Sequence, residues 1–209
     1  MSDRGERFVE PEGTKLQIVE AALETLRSKG YAGASARAIA REGNFNQALI
    51  FYHFASLRNL LLAVLDLISE RRMAEYGPTF EQAQSAPELA DLARTIYLED
   101  LDRGYITVLG EMVSGGVSDP LLGAEVAARI EPWIEMVEQK LEQMLSGTPL
   151  WALAPPRDIA FGLVSLYFGI DMLSHLQGDC SRALSLLDLG KRLSALAEAF
   201  LPTQREDRS

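Results

Sequence analysis

Apolar residues recur every three or four positions through most of the chain, the spacing that lines one face of an α-helix. A first stripe of this kind occupies residues 14–29 and ends at Gly30, a residue type that commonly follows a helix. A second stripe begins after Ser56 and runs from Leu57 to Ile68. Since no segment sustains the alternation of apolar and polar residues that a half-buried strand requires, the pattern predicts an all-α protein.

Glycine and proline residues divide the rest of the chain into further helices. Together with two short helices in residues 35–54, the pattern predicts about nine helices. The Gly77-Pro78 pair is expected to end one helix or a turn after it, and Gly115-Gly116 to end another. Beyond residue 55 the expected helices lie at about residues 56–73, 87–103, 104–117, 119–145, 157–177 and 181–201.

The segment from Ser35 to Phe54 predicts two short helices joined by a tight turn. Ser35 is a good N-cap for the first helix, because its hydroxyl can accept a hydrogen bond from the first turn. Gly43 and Asn44 are expected to end that helix, since both residue types tolerate the left-handed backbone conformation. Asn46 is a good N-cap for the second helix. This spacing is typical of a helix-turn-helix, whose second helix enters the DNA major groove.

The distribution of charge changes what DNA binding would require. The chain has a net charge of −10, but residues 1–60 hold eight Lys/Arg and seven Asp/Glu, so the acidity lies in the remainder. The candidate DNA-binding segment is therefore close to neutral rather than basic. Because bulk attraction to phosphates is weak in this case, binding must depend on a few well-placed groups.

Cysteine content and hydropathy bear on the compartment. A single cysteine, Cys180, excludes an intrachain disulfide and fits a reducing cytoplasm, where it is expected to be a small packed residue. The first residues are polar and charged, unlike a secretory signal. The longest apolar run, residues 159–176, is interrupted by Asp171 and His175, so we expect no membrane span and a cytoplasmic protein.

The two expected C-terminal helices are apolar around more of their circumference than one core face needs. A stripe of small residues on the first would let another helix approach closely. The helices could pair with their copies as a four-helix bundle in a homodimer, or the first could lie buried inside the monomer; the pattern favours the homodimer. The expected interface residues are Gly162, Ser165, Gly169, Leu186, Leu189, Leu193 and Leu196.

Several short motifs carry a family resemblance: Ala21-Ala22 with Leu26, Gly30-Tyr31, Ser35 through Phe54, Leu60-Leu61 and Ala63-Val64-Leu65. Over residues 14 to about 65 the chain resembles the TetR (tetracycline-repressor-like) family of bacterial transcriptional regulators, and the rest matches it only as an all-α layout. The resemblance implies an N-terminal three-helix helix-turn-helix domain and a C-terminal helical ligand-binding and dimerisation domain. We expect a disordered N-terminal arm, these two domains and a disordered tail at residues 1–13, 14–55, 56–202 and 203–209.

The resemblance also implies a homodimeric repressor that binds a palindromic double-stranded DNA operator and is released by a small effector. It places Arg37 where the family contacts bases or phosphates, whereas Leu57 replaces a usual lysine and leaves Arg58 as its substitute. By chemistry, the Gln47 amide can bond adenine, and Ala48 or Leu49 can pack on a thymine methyl. The expected DNA-binding residues are Arg37, Asn46, Gln47, Ala48, Leu49, Phe51, Tyr52, His53 and Arg58.

Aromatic and methionine side chains on the fifth to eighth helices suit an apolar effector, although the same residues could be ordinary core. The expected pocket residues are Tyr97, Tyr105, Glu111, Met112, Trp133, Met136, Phe168, Met172 and His175. Asp171 and His175 are four residues apart, so we expect them to hydrogen-bond each other, at the pocket or at the dimer interface. With no third ligand nearby in sequence, they do not predict a metal site.

The chain holds no pattern that predicts catalysis or a cofactor. It has no nucleophile–base pair, no glycine-rich phosphate loop and only two histidines, of which one lies in the helix-turn-helix segment. We therefore expect a non-enzymatic regulator. The alternative is an all-α adaptor or enzyme in which the helix-turn-helix is only structural.

Overall fold

A computed structural model of the chain describes residues 11–146 and 155–200. Within these ranges the protein forms nine helices and no strand, which confirms the predicted all-α class. In chain order they are α1 (Pro11–Gly33), α2 (Ala36–Glu42), α3 (Ala48–Phe54), α4 (Leu57–Gln82), α5 (Ala86–Arg103), α6 (Tyr105–Ser118), α7 (Pro120–Leu145), α8 (Pro156–Gln177) and α9 (Ser181–Phe200). The expected tail at residues 203–209 and most of the expected arm lie outside the described residues, but residues 11–13 belong to α1.

The chain divides into two compact units. The first unit contains the chain up to Ser69 together with Val108–Val126, and the second contains Glu70–Thr107 together with the described residues from Ala127 onward. The divisions fall inside α4, α6 and α7 rather than at the expected boundary between residues 55 and 56. The first part of α4 belongs with the helix-turn-helix because its apolar residues, including Leu60 and Val64, are buried in that unit.

Aliphatic side chains form the core of the first unit. Ile18 and Leu26 of α1, Ile39 of α2, Ile50 of α3 and Leu60 of α4 are all inaccessible to solvent. Burial of each such side chain contributes roughly 1.5–3 kcal/mol. This shared core fixes the short helices α2 and α3, which are too short to be stable alone.

One predicted helix end is wrong, since α4 continues through Pro78 to Gln82. α6 ends at Ser118, within one residue of its predicted end, but Gly115 and Gly116 lie inside the helix and do not terminate it. The reason in α6 is a close helix crossing, because a Cβ on Gly116 would lie 2.9 Å from the Cα of Gly123 on α7. Gly116 therefore permits two backbones to touch, and this requirement depends on a partner helix that local sequence does not identify.

α1 bends sharply at Gly30, where the first helical stripe was expected to end. Gly30 has φ 66° and ψ 179°, a conformation that side chains with a Cβ rarely adopt. A Cβ at this position would also lie 2.6 Å from Oε2 of Glu111. The backbone conformation therefore favours glycine strongly, and any larger residue would also displace the Glu111 carboxylate.

The second unit is organised around contacts of α5 and α8 with α9. Tyr97, Ile106, Ile170 and Ala183 form its buried apolar cluster. The half-buried Cys180 packs against this cluster, as expected for a small structural residue. The opposite faces of α8 and α9 carry exposed apolar side chains.

Candidate functional site

The first helix of the predicted helix-turn-helix begins and turns as the sequence indicates. Ser35 Oγ accepts a hydrogen bond from the Ala38 amide at 3.2 Å, and Asn44 adopts a left-handed conformation with φ 51°. Gly43, however, is not left-handed: its φ is −84°. A Cβ on Gly43 would overlap the Phe45 ring and lie 2.8 Å from the Ala21 Cβ, so glycine is required for packing.

The second helix of the motif, α3, is held by one polar and one apolar anchor. Asn46 Oδ1 accepts from the Ala48 amide at 2.9 Å, although the N-cap position is Gln47, one residue later than predicted, and the Gln47 side chain makes no capping bond. Ile50 is completely buried and fixes the rotation of α3 on the core. Gln47 precedes the first residue of α3 and takes a helical conformation, with φ −56° and ψ −23°.

The remaining face of the motif is open to solvent. Tyr52 is 82% exposed and Phe51 49% exposed. The two aromatic rings at positions 52 and 53 meet edge to face, with 4.9 Å between centroids. Leu49 and His53 are half-buried, and the other exposed candidates are Arg37, Asn46, Gln47 and Ala48. The structure thus brings eight of the nine expected DNA-binding residues onto α2, α3 and the turn between them.

Arg58, the ninth candidate, has a different environment. Its guanidinium forms an ion pair with Asp119 in the turn between α6 and α7, within the first unit. Asp119 also caps α7, since its Oδ1 accepts from the Leu121 amide at 3.1 Å. These residues border an open pocket of about 460 Å³ that also contacts Tyr31 and Ser35. This ion pair gives Arg58 a structural role within the first unit, which differs from its expected contact with a DNA phosphate.

Glu111 also differs from its expected place in a ligand pocket. Its Oε2 accepts from the backbone amide of Tyr31 at 2.7 Å, directly after the bend at Gly30. Glu111 and the fully buried Met112 belong to the first unit, whereas the other expected pocket residues belong to the second. The structure therefore does not bring the nine expected pocket residues together in one unit.

The second unit contains a buried polar cluster that the sequence analysis missed. Asp100 is 1% exposed and forms an ion pair with Arg72. The hydroxyl of Tyr167 donates to Asp100 Oδ2 at 3.0 Å, and the Arg72 guanidinium lies 5.0 Å from the centre of the Trp133 ring. Burial raises the pKa of the Asp100 carboxyl, while the charge of Arg72 opposes the rise. An available signal was that Tyr97 and Asp100 share one face of α5.

Asp171 extends this polar cluster on α8. The residue is 5% exposed, and its Oδ1 has no hydrogen-bond partner. Burial, reinforced by the negative charge of Asp100 and opposed by Arg72, raises the pKa of Asp171 to about 7. The expected hydrogen bond between Asp171 and His175 is wrong: the carboxyl points into the unit while His175 is exposed.

The other expected pocket residues of the second unit differ widely in exposure. Tyr97 and Tyr105 are buried, Trp133, Met136 and Phe168 are half-buried, and Met172 is 47% exposed. Among the described residues, no group of three or more His, Cys, Asp or Glu side chains is placed to hold a metal ion. The chemistry available in this unit is therefore that of a buried polar cluster lined by aromatic rings.

One described helix, α8, is long and apolar enough to cross a membrane by length and composition alone, which differs from the expectation. The bent pair α3–α4 would make a second such span if it were counted as one helix. Asp171 and Ser174 of α8 are buried, and its exposed residues are mainly apolar. The feature that defines α8 is thus an uncovered apolar face.

Comparison with known proteins agrees with the helix-turn-helix geometry. The family model described as bacterial regulatory proteins, tetR family, matches residues 18–64. This match spans α1 to the first part of α4 and includes every residue of α2 and α3. Comparison with curated protein sequences finds no match.

Solved structures resemble the chain over most of its length. A TetR-family member from Streptomyces coelicolor A3 has 27% identity and a TM-score of 0.61, covering 84% of this chain and 96% of its own. The fatty acid degradation regulator FadR from Bacillus halodurans has 15% identity and a TM-score of 0.73, covering 86% and 93%. FadR from Bacillus subtilis, in complex with stearoyl-CoA, has 15% identity and a TM-score of 0.69, covering 85% and 96%.

The TM-scores of the two FadR proteins show that they share the fold of this chain. Their low sequence identities mean that nothing follows about this chain's ligand. The matched helix-turn-helix and the similarity of the overall fold support the assignment. Residues 18–64 therefore form a DNA-binding domain of the type found in the tetR family of bacterial regulatory proteins, on a chain whose fold resembles that of TetR-family transcriptional regulators.

Proposed function

We propose that the protein is a homodimeric repressor that binds a palindromic DNA operator and leaves it when a small effector binds. The observation that carries the proposal is the geometry of α3. Its apolar anchor Ile50 is buried, while Gln47, Ala48 and Tyr52 are exposed along the opposite side. A short helix presented in this way fits the major groove.

The exposed side chains suit different parts of DNA. The Gln47 amide can donate to and accept from an adenine edge, and Arg37 can bond guanine or a phosphate. The Tyr52 hydroxyl and the His53 ring suit phosphate contacts that fix the position of α3. Because Arg58 is paired with Asp119, we assign it no contact with DNA.

The dimer is proposed from the uncovered faces of α8 and α9. Phe161, Leu173 and Leu176 of α8 are 61%, 58% and 75% exposed, and Leu193 and Leu196 of α9 are 56% and 55% exposed. These values argue against the alternative of a helix buried inside the monomer. A second copy would remove this surface from water, at roughly 25 cal/mol per Å² of apolar area.

Small residues on α8 support the same pairing. Gly162, Ser165 and Gly169 are exposed, and a Cβ on either glycine would meet no atom within 4 Å. This stripe leaves room for a partner helix to approach closely. We propose that it packs on the other copy in a four-helix bundle rather than in a membrane, since α8 also buries the charged Asp171 within the second unit. This proposal places the protein in the cytoplasm.

Release by an effector requires that ligand and operator favour different states of the dimer. A ligand that binds more tightly to the state with poorly spaced α3 helices must weaken operator binding by the same factor. α4 is continuous from Leu57 in the helix-turn-helix unit to Arg72 in the second unit. We propose α4 as the element that carries this coupling. FadR of Bacillus subtilis, which binds stearoyl-CoA, provides a precedent for a ligand in this fold.

Selection of bound sequences from a random DNA pool tests the proposal. We expect one enriched palindrome, with half-sites about one helical turn apart, and affinity that falls as salt rises. Sedimentation of the free protein should give a mass of two chains. Failure to enrich any sequence would refute the operator, and enrichment of an asymmetric site by a monomer would refute the dimer.

A further inference from the structure

Four helices of the second unit contribute to one buried polar cluster. Arg72 comes from α4, Asp100 from α5, Trp133 from α7, and Tyr167 and Asp171 from α8. Tyr97 of α5 adjoins it, with its ring 6.0 Å from that of Tyr167, measured between centroids. The cluster therefore lies where these helices converge, and aromatic rings form much of its wall.

The hydrogen bonds of the cluster are unevenly distributed. Asp100 interacts with both Arg72 and Tyr167, so its charge is well compensated. Two buried polar atoms have no partner: Nε of Arg72 and Oδ1 of Asp171. The hydroxyl of Tyr97 interacts with the side chain of Ser174. Buried polar atoms are nearly always hydrogen-bonded in folded proteins, so two such atoms within one cluster are a reason to consider a bound molecule here.

When Asp171 is ionised, the cluster contains more negative than positive charge. The cluster holds one permanent cation, Arg72, and two carboxyls, Asp100 and Asp171. The negative charge of the nearby Asp100 opposes ionisation of Asp171, and the positive charge of Arg72 favours it. Burial raises the pKa of both Tyr97 and Tyr167, so these two hydroxyls are uncharged at neutral pH. A positively charged hydrogen-bond donor would therefore complement an ionised Asp171.

We propose that this cluster is the polar end of the effector site and binds an organic ammonium group carried on an apolar body. The ammonium donates to Oδ1 of Asp171, and the rings of Tyr97 and Tyr167 stabilise its charge. The half-buried Phe168 and the partly exposed Met172 lie on the same helix and suit the apolar body. The inference rests on the proposed function only in naming the bound molecule as the effector.

Three probes with one carbon skeleton and different headgroups test the inference without DNA. Phenylbutylammonium, phenylbutanol and phenylbutyrate are titrated separately by calorimetry into the full-length protein at pH 8. We expect the ammonium to bind roughly tenfold or more tightly than either of the others. An equal affinity for all three, a preference for phenylbutyrate, or no binding of the ammonium overturns the proposal.

Two matched variants separate this site from general attraction of a cation to an acidic protein. Asp171→Asn should abolish the preference for the ammonium. Asp158→Asn removes the same charge from an exposed position on the same helix and should preserve the preference. Retention of the preference in Asp171→Asn, or its loss in Asp158→Asn, contradicts the assignment.

A pH profile of the unmodified protein gives a readout that needs no variant. Because ammonium binding requires ionised Asp171, affinity for phenylbutylammonium should rise from pH 6 to pH 8 and level off above it. A flat profile overturns the role of Asp171. These measurements do not involve the operator, so failure to bind DNA would refute the proposed function and leave this inference intact.

Discussion

The Asp171→Asn substitution should stabilise the protein, and increasingly so at higher pH. The carboxyl is buried without a partner for Oδ1, and its pKa is raised from 3.8 to about 7. A pKa raised on folding means that the folded state binds the proton more tightly than the unfolded state. The contribution of Asp171 to the stability of the wild-type protein is therefore most favourable below pH 4. This contribution is lost as the pH rises through 7.

The magnitude follows from the size of the shift. About three pKa units at ~1.4 kcal/mol each correspond to a penalty on the order of 4 kcal/mol at pH 8. At pH 5 the same relation gives about 2 kcal/mol, because Asp171 is then largely protonated in the folded state. Asparagine does not titrate, so the stability difference between Asp171→Asn and wild type should grow by about 2 kcal/mol between these pH values.

Urea unfolding at both pH values and at one fixed protein concentration measures this difference. Comparison across pH removes any constant effect of the new amide, which would also lack a partner. The exposed Asp158 on the same helix provides the control, since Asp158→Asn should change stability equally at pH 5 and pH 8. A gain in Asp171→Asn that is the same at both pH values would show that Asp171 is not a destabilised buried carboxylate.

Three further substitutions test the other assignments. Gln47→Ala should weaken operator binding by roughly 1–3 kcal/mol in a mobility-shift titration, whereas the exposed Gln139→Ala should not. Leu193→Asp places a charge in the proposed interface and should give single chains on sedimentation, so an intact dimer would disprove that interface. Glu111→Gln weakens a charge-assisted bond to a backbone amide and should lower the free energy of unfolding by about 1–2 kcal/mol, unlike the exposed Glu135→Gln; equal losses in both would contradict this role.

The sequence was sufficient to predict features that depend on interactions between residues close together in the chain. Helical periodicity predicted the all-α class, and the capping bonds of Ser35 and Asn46 were predicted because each residue bonds an amide within three residues of itself. The packing role of Gly116 in α6 could not be predicted in this way. This role depends on the backbone of Gly123 in the neighbouring helix. In the sequence, a glycine that permits two helices to cross cannot be distinguished from a glycine that ends a helix.

The polar contacts between distant segments were the least predictable. Asp100 and Arg72 are paired because α4 and α5 are neighbours in space, and Tyr31 and Glu111 are joined across 80 positions of sequence. Sequence indicated that Asp171 was unusual on an apolar helix but suggested the wrong partner, since a helical spacing of four does not specify which face is buried. Only the packing of α8 shows that Asp171 points inward and His175 outward.

The uncovered apolar face of α8 has a consequence for gene control if it pairs as proposed. An interface formed by nearly continuous apolar helices would favour the dimer strongly, so most chains would be paired at the concentrations found in a cell. Operator occupancy then depends on the first power of the protein concentration instead of its square. Repression by such a protein would respond gradually to its own abundance, and any sharp response would have to come from the effector.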